Sequence, residues 1–397
     1  MNQKKTIYKI GISGSYGGLN LGDEAILQSI IAELRRSLAV EITVFSRNHE
    51  DTRRRHRVER AIPVRNFVRN EILPEIERLD LFILGGGGIL YDGEAKVYLR
   101  EVELANELGV PVMLYAIGAG PLQDPTVQKL VRQTLNEAAV ITVRERFARH
   151  ILEEAGVQRE ILVTADPAFL LKPEPLPKDA LQCEGLKGKK RLVGMSVREP
   201  GMAAPDIDEK IYHSLLANAA DFVVSRFDAD VVFVPMEHQV LDVQHSHAVI
   251  SKMMLAQRAV VLKGEYTAGQ LLSLVENFEF VIGMRLHFLI FAALQGVPFV
   301  ALPYATKVSG ILESLGIDLP PMQLVNAGQL LAYIDRFWDL RQKLRDQIQQ
   351  RIPELQQRAL ENNRIAVQLL TKAAEWKNLP AQAEERMHAP AFASGQR

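Results

Sequence analysis

Cysteine is all but absent. The chain of 397 residues holds one, Cys183, so no intramolecular disulfide can form. With Gln182 and Glu184 beside it and no histidine nearby in sequence, that thiol suits a structural role better than a nucleophilic one. An excess of charge is missing too. The 47 Lys and Arg against 48 Asp and Glu leave a formal net charge of -1, which removes the basic field that wholesale nucleic-acid binding needs. Long apolar runs are lacking. The most apolar stretch, residues 280–304, is interrupted by Arg285, His287, Gln295, Gly296 and Pro298, so it fits a core helix leading into a buried strand better than a membrane span. Met1 to Thr6 is polar and lacks the apolar run and cleavage site of a signal peptide, so a cytoplasmic protein is expected. Cysteine pairs and a His-Glu-x-x-His run are absent as well, and neither a metal nor a cofactor is expected. His245 and His247 read as surface residues.

What is present is a regular alternation of apolar, β-rich runs with amphipathic helical stretches, the signature of parallel sheets flanked by helices. Strands are expected at residues 7–12, 41–45, 79–84, 112–117, 140–143 and 161–163. A second series follows at 191–197, 229–235, 259–262, 280–282 and 298–301. Between the two series, residues 172–178 are proline-rich and 185–191 glycine- and lysine-rich, which marks a linker. The expected domains are therefore residues 1–172, residues 190–325, a helical segment 326–376 packing back on both, and a disordered tail 377–397. Pro353 is expected to break the helical segment in two. The fold class is α/β: two Rossmann-like domains in a glycosyltransferase-B type arrangement with C-terminal helices. Such folds place ligands at the carboxyl ends of strands, in the cleft between domains.

The loops after strands carry the motifs. Gly11 to Glu24 ends the first strand and opens a helix, with a polar cluster of Asn20, Asp23 and Glu24 at the helix entry. It lacks the Gly-Lys-Ser/Thr of a Walker A loop, and it is open whether Asp23 and its neighbours cap the helix or also touch a ligand. Gly85 to Gly88 forms four consecutive glycines after another strand, a backbone that turns sharply or is closely approached. Arg144 and Arg198 stand just past the ends of strands in the two halves, where a guanidinium can meet carboxylate or phosphate. Arg285 and His287 interrupt an apolar strand-to-helix passage. An unpaired guanidinium there is very costly, so they line a cavity or pair with acids inside. The basic run Arg53 to Arg57 reads as a solvated face, with an anionic diphosphate or membrane surface as the alternative.

Together these segments resemble the polysaccharide pyruvyltransferase family, and within it the CsaB-like branch. The resemblance is carried by residues 17–27 (Gly-Gly-Leu-Asn-Leu-Gly-Asp-Glu-Ala-Ile-Leu), Gly85 to Gly88, Val143-Arg144 and Ala165-Asp166-Pro167. It continues in Gly194 to Arg198, Gly283-Met-Arg-Leu-His287, Gly296 to Pro298 and Tyr304 to Lys307, all in the family's order. Where the family often continues Val-Arg with Asp and a nearby Ser, this chain has Glu145, Arg146 and Phe147.

The resemblance implies phosphoenolpyruvate as donor and ketal formation across two hydroxyls of a sugar. In the CsaB-like branch the sugar is carried on a lipid diphosphate and destined for the cell wall, which implies peripheral contact with the inner membrane surface. It implies donor binding by Arg144, Arg198, Arg285, His287 and Lys307, with the second domain as the donor side and the first as the acceptor side. Asn20, Asp23, Glu24, Gly86 and Gly87 are assigned to the acceptor, and His287, Arg285 and Asp23 to the chemistry. His287 is the group suited to carry a proton to C3, and Asp23 or Glu24 the one suited to accept the hydroxyl proton. The alternatives are a nucleotide-sugar glycosyltransferase, with Glu265 or Glu313 closing a ribose pocket, and a non-catalytic module that only binds anions or sugars.

Overall fold

The computed structural model describes residues 7–64, 68–189, 191–198, 208–237, 241–302, 306–317 and 327–377. Seven strands, β1 (Tyr8–Ser13), β2 (Val40–Ser46), β3 (Arg60–Pro63), β4 (Leu81–Leu90), β5 (Val112–Ala119), β6 (Val140–Val143) and β7 (Ile161–Val163), form one sheet in the order β3-β2-β1-β4-β5-β6-β7. Five more, β8 (Leu192–Ser196), β9 (Asp230–Phe233), β10 (Ala259–Val261), β11 (Phe280–Gly283) and β12 (Phe299–Ala301), form a second in the order β10-β9-β8-β11-β12. Every pairing within both sheets is parallel. In both sheets the order reverses beside the first strand, so β1 faces β4 and β8 faces β11 across a switch point, the place where open sheets bind ligands. Short apolar runs such as Phe280–Gly283 are fully buried because helices cover both faces of a parallel sheet.

β3 was not among the expected strands. It has four residues and a proline at its end, so it carries too little pattern to register, and its place beside β2 supplies what its sequence does not. The proposed break at Pro353 is also corrected: one helix runs Arg341–Lys377 straight through it, and the interruption falls at Leu340, after the helix Ala327–Asp339. A proline removes one backbone bond, but burial of Ile348, Leu355, Ala359, Ala366 and Leu370 along one side outweighs that loss.

That long helix fastens the two sheets together. Near its start Arg345 Nε donates to the Gly296 carbonyl of the second sheet's surroundings at 3.0 Å. Further along, fully buried Asn362 accepts from Thr142 Oγ1 at 2.6 Å and Thr164 Oγ1 at 2.9 Å, both at the carboxyl ends of first-sheet strands. The linker is pinned rather than loose: Glu174 accepts from Gln28 Nε2 at 2.7 Å and from Thr267, and Glu184 accepts from the Lys263 and Gly264 amides and from Tyr266 Oη. One apolar cluster is continuous from the face of β1 through the second sheet to the long helix, while a second fills the opposite face of the first sheet. The expected tail beyond residue 377 lies outside the described residues. No described helix is long and apolar enough to cross a membrane.

Candidate active site

The loop after β1 is shaped by its own strain and capping. Gly17 holds φ at +71°, and a Cβ there would sit 2.3 Å from Ser46 Oγ, so only glycine fits. Asn20 caps the helix Leu21–Ser37 by accepting from the Gly22 amide at 3.0 Å, so the cap is Asn20 and not Asp23. The same loop reaches the second domain, for the Leu21 amide donates to the Met236 carbonyl at 2.8 Å. Glu24 does not line the cleft described below. It is 2 % exposed, accepts from the Gly17 amide at 2.9 Å and pairs with His56 at 2.6 Å. Its expected acceptor contact is therefore corrected to a structural role in holding the loop. His56 is corrected with it. Within the basic run, Arg53, Arg54 and Arg57 are exposed as a solvated face should be, but His56 is buried and Arg55 pairs with Asp51 at 2.9 Å.

A cleft of about 260 Å³ opens between the switch points of the two sheets. Asn20, Asp23, Arg144, Arg198, Arg285 and His287, all anticipated from sequence, line it together. Gly86 and Gly87 do not. Gly86 packs on the helix, where a Cβ would come within 2.8 Å of Ile26, and Gly87 takes φ +96° to bring the chain past Asp23. Gly88 is the member of the run that faces the cleft. Lys307 falls in the first turn of the helix Thr306–Leu315, but its side chain, like Tyr304, lies outside the described residues.

The cations are not bare. Arg285 does both of the things open to it: it lines the cleft, while Nε donates to Asp242 Oδ2 at 2.9 Å and a terminal nitrogen reaches Glu237 Oε2 at 3.0 Å. Asp242 is fully buried, so this pair is one the structure cannot lose cheaply. Arg144 donates from Nε to Glu145 Oε2 at 2.7 Å and from one terminal nitrogen to Asp166 Oδ2 at 3.0 Å. Its other terminal nitrogen, without an acceptor among the described residues, lies over Gly118 and Gly88. A Cβ on Gly118 would stand 2.8 Å from it. Glu145, where the chain departs from the family pattern, is thus a partner of Arg144. Both acids push the Arg144 guanidinium's pKa further up despite its burial.

His287 enters from the second domain and lies on the first. A Cβ on Gly22 would be 2.1 Å from its Nδ1, so the imidazole sits directly on the helix's bare second residue. Its Nε2 faces Asp166 Oδ2 at 3.5 Å, an electrostatic pairing rather than a well-made hydrogen bond. Burial pushes the Asp166 carboxyl up, but His287, Arg144 and the Ala168 amide more than offset it and hold it down at about 2. Neither ring nitrogen makes a hydrogen bond among the described residues, and the ring lines the cleft.

Four participants escaped the sequence reading as site residues. Asp166 was visible only as part of an Ala-Asp-Pro match, and the signal that could have found it is its position just past β7. Asp242 and Glu237 follow β9 in the same way. Arg47, after β2, lines the cleft and donates to Tyr98 Oη. Glu265 lines a separate cavity of about 460 Å³ with Arg54, Arg55 and Tyr266, and Glu313 is exposed on its helix.

Comparison with known proteins bears on the family and the fold. A family model described as polysaccharide pyruvyl transferase matches residues 20–306. The amylovoran biosynthesis protein AmsJ of Erwinia amylovora is 20% identical over 328 residues, 77% of each chain. Among solved structures, the UDP-GlcNAc 2-epimerase of Neisseria meningitidis superposes with a TM-score of 0.61 at 10% identity, covering 92% of this chain and 100% of that one. An O-GlcNAc transferase from Thermobaculum terrenum does so with a TM-score of 0.50 at 15% identity, covering 94% of this chain and 69% of that one. At such identities these structures establish the fold alone: two parallel-sheet α/β domains of the glycosyltransferase-B type with C-terminal helices.

Proposed function

The chain belongs to the polysaccharide pyruvyl transferase family, and from that premise we propose that it transfers a pyruvyl group from phosphoenolpyruvate to two hydroxyls of a sugar, closing a ketal. The acceptor is a lipid-diphosphate-linked precursor of a cell-wall polymer, as in the CsaB-like branch, met by a cytoplasmic enzyme at the inner membrane surface. The observation that carries this reading is His287. It is seated on Gly22, with Asp166 behind it and Arg144, Arg198 and Arg285 around it, across the cleft from Asp23.

Phosphoenolpyruvate brings a carboxylate and a phosphate. Arg198 and the outward nitrogen of Arg144 receive them, and Arg285 closes the second-domain side, with Lys307 as a further donor ligand. Because Arg144 and Arg285 are already held by buried acids, their geometry is set before the ligand arrives. One sugar hydroxyl then adds to C2 of the donor while C3 takes a proton from the His287 imidazole, and the hydroxyl proton passes to Asp23. Phosphate leaves C2 with the proton held by Asp23, the second hydroxyl adds there, and its proton goes to His287, so both groups end as they began. One donor and one diol give one ketal and one phosphate, with no change of oxidation state overall and no cofactor in any step. Asp166 opposite Nε2 orients the ring, so it is a positioning residue.

Phosphate release should require donor and acceptor together. In Arg198→Ala the KM for phosphoenolpyruvate should rise by about tenfold or more, the loss of one charge-assisted contact. Undiminished phosphate release in a folded His287→Ala chain would contradict the assignment. Response to a nucleotide sugar with none to phosphoenolpyruvate would favour the glycosyltransferase reading instead.

A further inference from the structure

Away from the cleft, the helices Glu209–Phe227 and Leu241–Ile250 bring two buried histidines face to face. His213 is 5% exposed and His245 7%, and His213 Nε2 lies 2.8 Å from His245 Nδ1. The reading of His245 as a surface residue is thereby corrected. Neither ring has an acidic hydrogen-bond partner among the described residues. One helical turn before His213, Glu209 sits on the same face, and one ligand atom from each of the three residues lies within 4.8 Å of the others. Glu209 is exposed, and its carboxylate makes no hydrogen bond among the described residues. The charged groups acting on His213 are Glu209 and the exposed Lys252, of opposite sign.

We infer that Glu209, His213 and His245 bind a divalent transition-metal ion of the zinc type. Two imidazoles and a carboxylate are the nitrogen-rich donor set that favours such ions over magnesium or calcium. A tetrahedral ion with Zn–N bonds of about 2.0–2.1 Å needs its ligand atoms roughly 3.3 Å apart. The two nitrogens therefore separate by a few tenths of an ångström, which a small ring rotation supplies, and the uncommitted Glu209 side chain swings inward. The fourth position opens on the solvent side, where Glu209 stands, and takes water.

No spacing rule finds this set, because its two histidines come from different helices and stand 32 residues apart. The ion would join those helices. His245 lies one turn after Asp242, whose carboxylate also receives the Met236 amide at 3.0 Å and holds Arg285, so the metal braces the second-domain wall of the cleft without entering it.

The test uses the full chain, stripped with a chelator and desalted, and titrated calorimetrically with zinc chloride and separately with magnesium chloride. One equivalent of zinc should bind with micromolar affinity or tighter, magnesium should give no such isotherm, and cobalt(II) should show the visible absorption of a four-coordinate site. Glu209→Gln, at an exposed position that folding does not depend on, should weaken zinc by about tenfold or more, and His213→Gln and His245→Gln more strongly. Absence of zinc binding by the folded wild type would overturn the inference, and so would unchanged one-equivalent binding in Glu209→Gln and His245→Gln. No phosphoenolpyruvate is present, so failure here and failure of the proposed transfer reaction are separate results.

Discussion

Replacing Gly22 with alanine adds one methyl group at the point where the two domains meet over the proposed chemistry. The new Cβ would stand 2.1 Å from His287 Nδ1, 2.5 Å from its Cγ and 2.9 Å from its Cβ. The methyl belongs to a helix backbone anchored by Asn20 and by the Met236 carbonyl, so the histidine must yield. Relief to ordinary contact displaces the ring by over an ångström, away from Gly22 and from its line to Asp166. Overpacking of this kind costs about 1–3 kcal/mol. The helix itself gains up to about 1 kcal/mol from alanine over glycine. The net change in stability is therefore small, whereas an ångström of misplacement at a reacting group is worth roughly 100-fold in rate. Phosphate-release kinetics beside a thermal unfolding curve separates the two effects. A Gly22→Ala chain that unfolds within a few degrees of wild type should turn over about 100-fold more slowly. A rate within twofold of wild type would refute the placement of His287.

Asp166 gives a pH signature. Its folded carboxyl is held at about 2, below the usual 3.8, so its contribution is fully present above about pH 4 and lost as pH falls through about 2. The difference corresponds to about 2 kcal/mol. Urea midpoints between pH 4 and pH 2 should therefore fall more steeply for wild type than for Asp166→Asn, and equal slopes would show that the carboxyl is not so held. Removing Asp242 leaves the Arg285 guanidinium short of its buried partner. Asp242→Ala should cost about 3–5 kcal/mol in denaturant unfolding, and adding Arg285→Met should recover part of it. Asn362→Leu removes an acceptor shared by Thr142 and Thr164, whose hydroxyls keep the Leu114 and Val143 carbonyls as partners, and should lose about 1–2 kcal/mol, a loss read as a lower urea midpoint.

The sequence discloses those parts of the molecule whose cause is local. Parallel strands buried on both faces must be apolar throughout, so β1, β2, β5 and most of the second sheet stand out as runs, and the motifs at their ends could be placed. Arg285 and His287 were legible because charge inside an apolar passage needs an explanation. What was not legible is pairing across distance. Nothing near Arg285 in sequence indicates Asp242, and nothing near Glu24 indicates His56, since both contacts form only when separate elements pack. Gly86 and Gly88 look alike in a run of four glycines, and only the direction of β4's backbone shows that one packs on a helix and the other faces the cleft. Pro353 carries a breaking propensity that burial along the rest of its helix overrides.

The proposed reaction moves a pyruvyl group from phosphoenolpyruvate onto a sugar diol in this cleft. The direct measurement is mass spectrometry of a panel of lipid-diphosphate-linked disaccharides incubated with the chain and phosphoenolpyruvate, with released phosphate counted in parallel. An acceptor should gain one pyruvyl ketal for each phosphate released, and both signals should vanish in a folded His287→Gln chain. Phosphate release without any gain in acceptor mass, or ketal formation undiminished in His287→Gln, would contradict it.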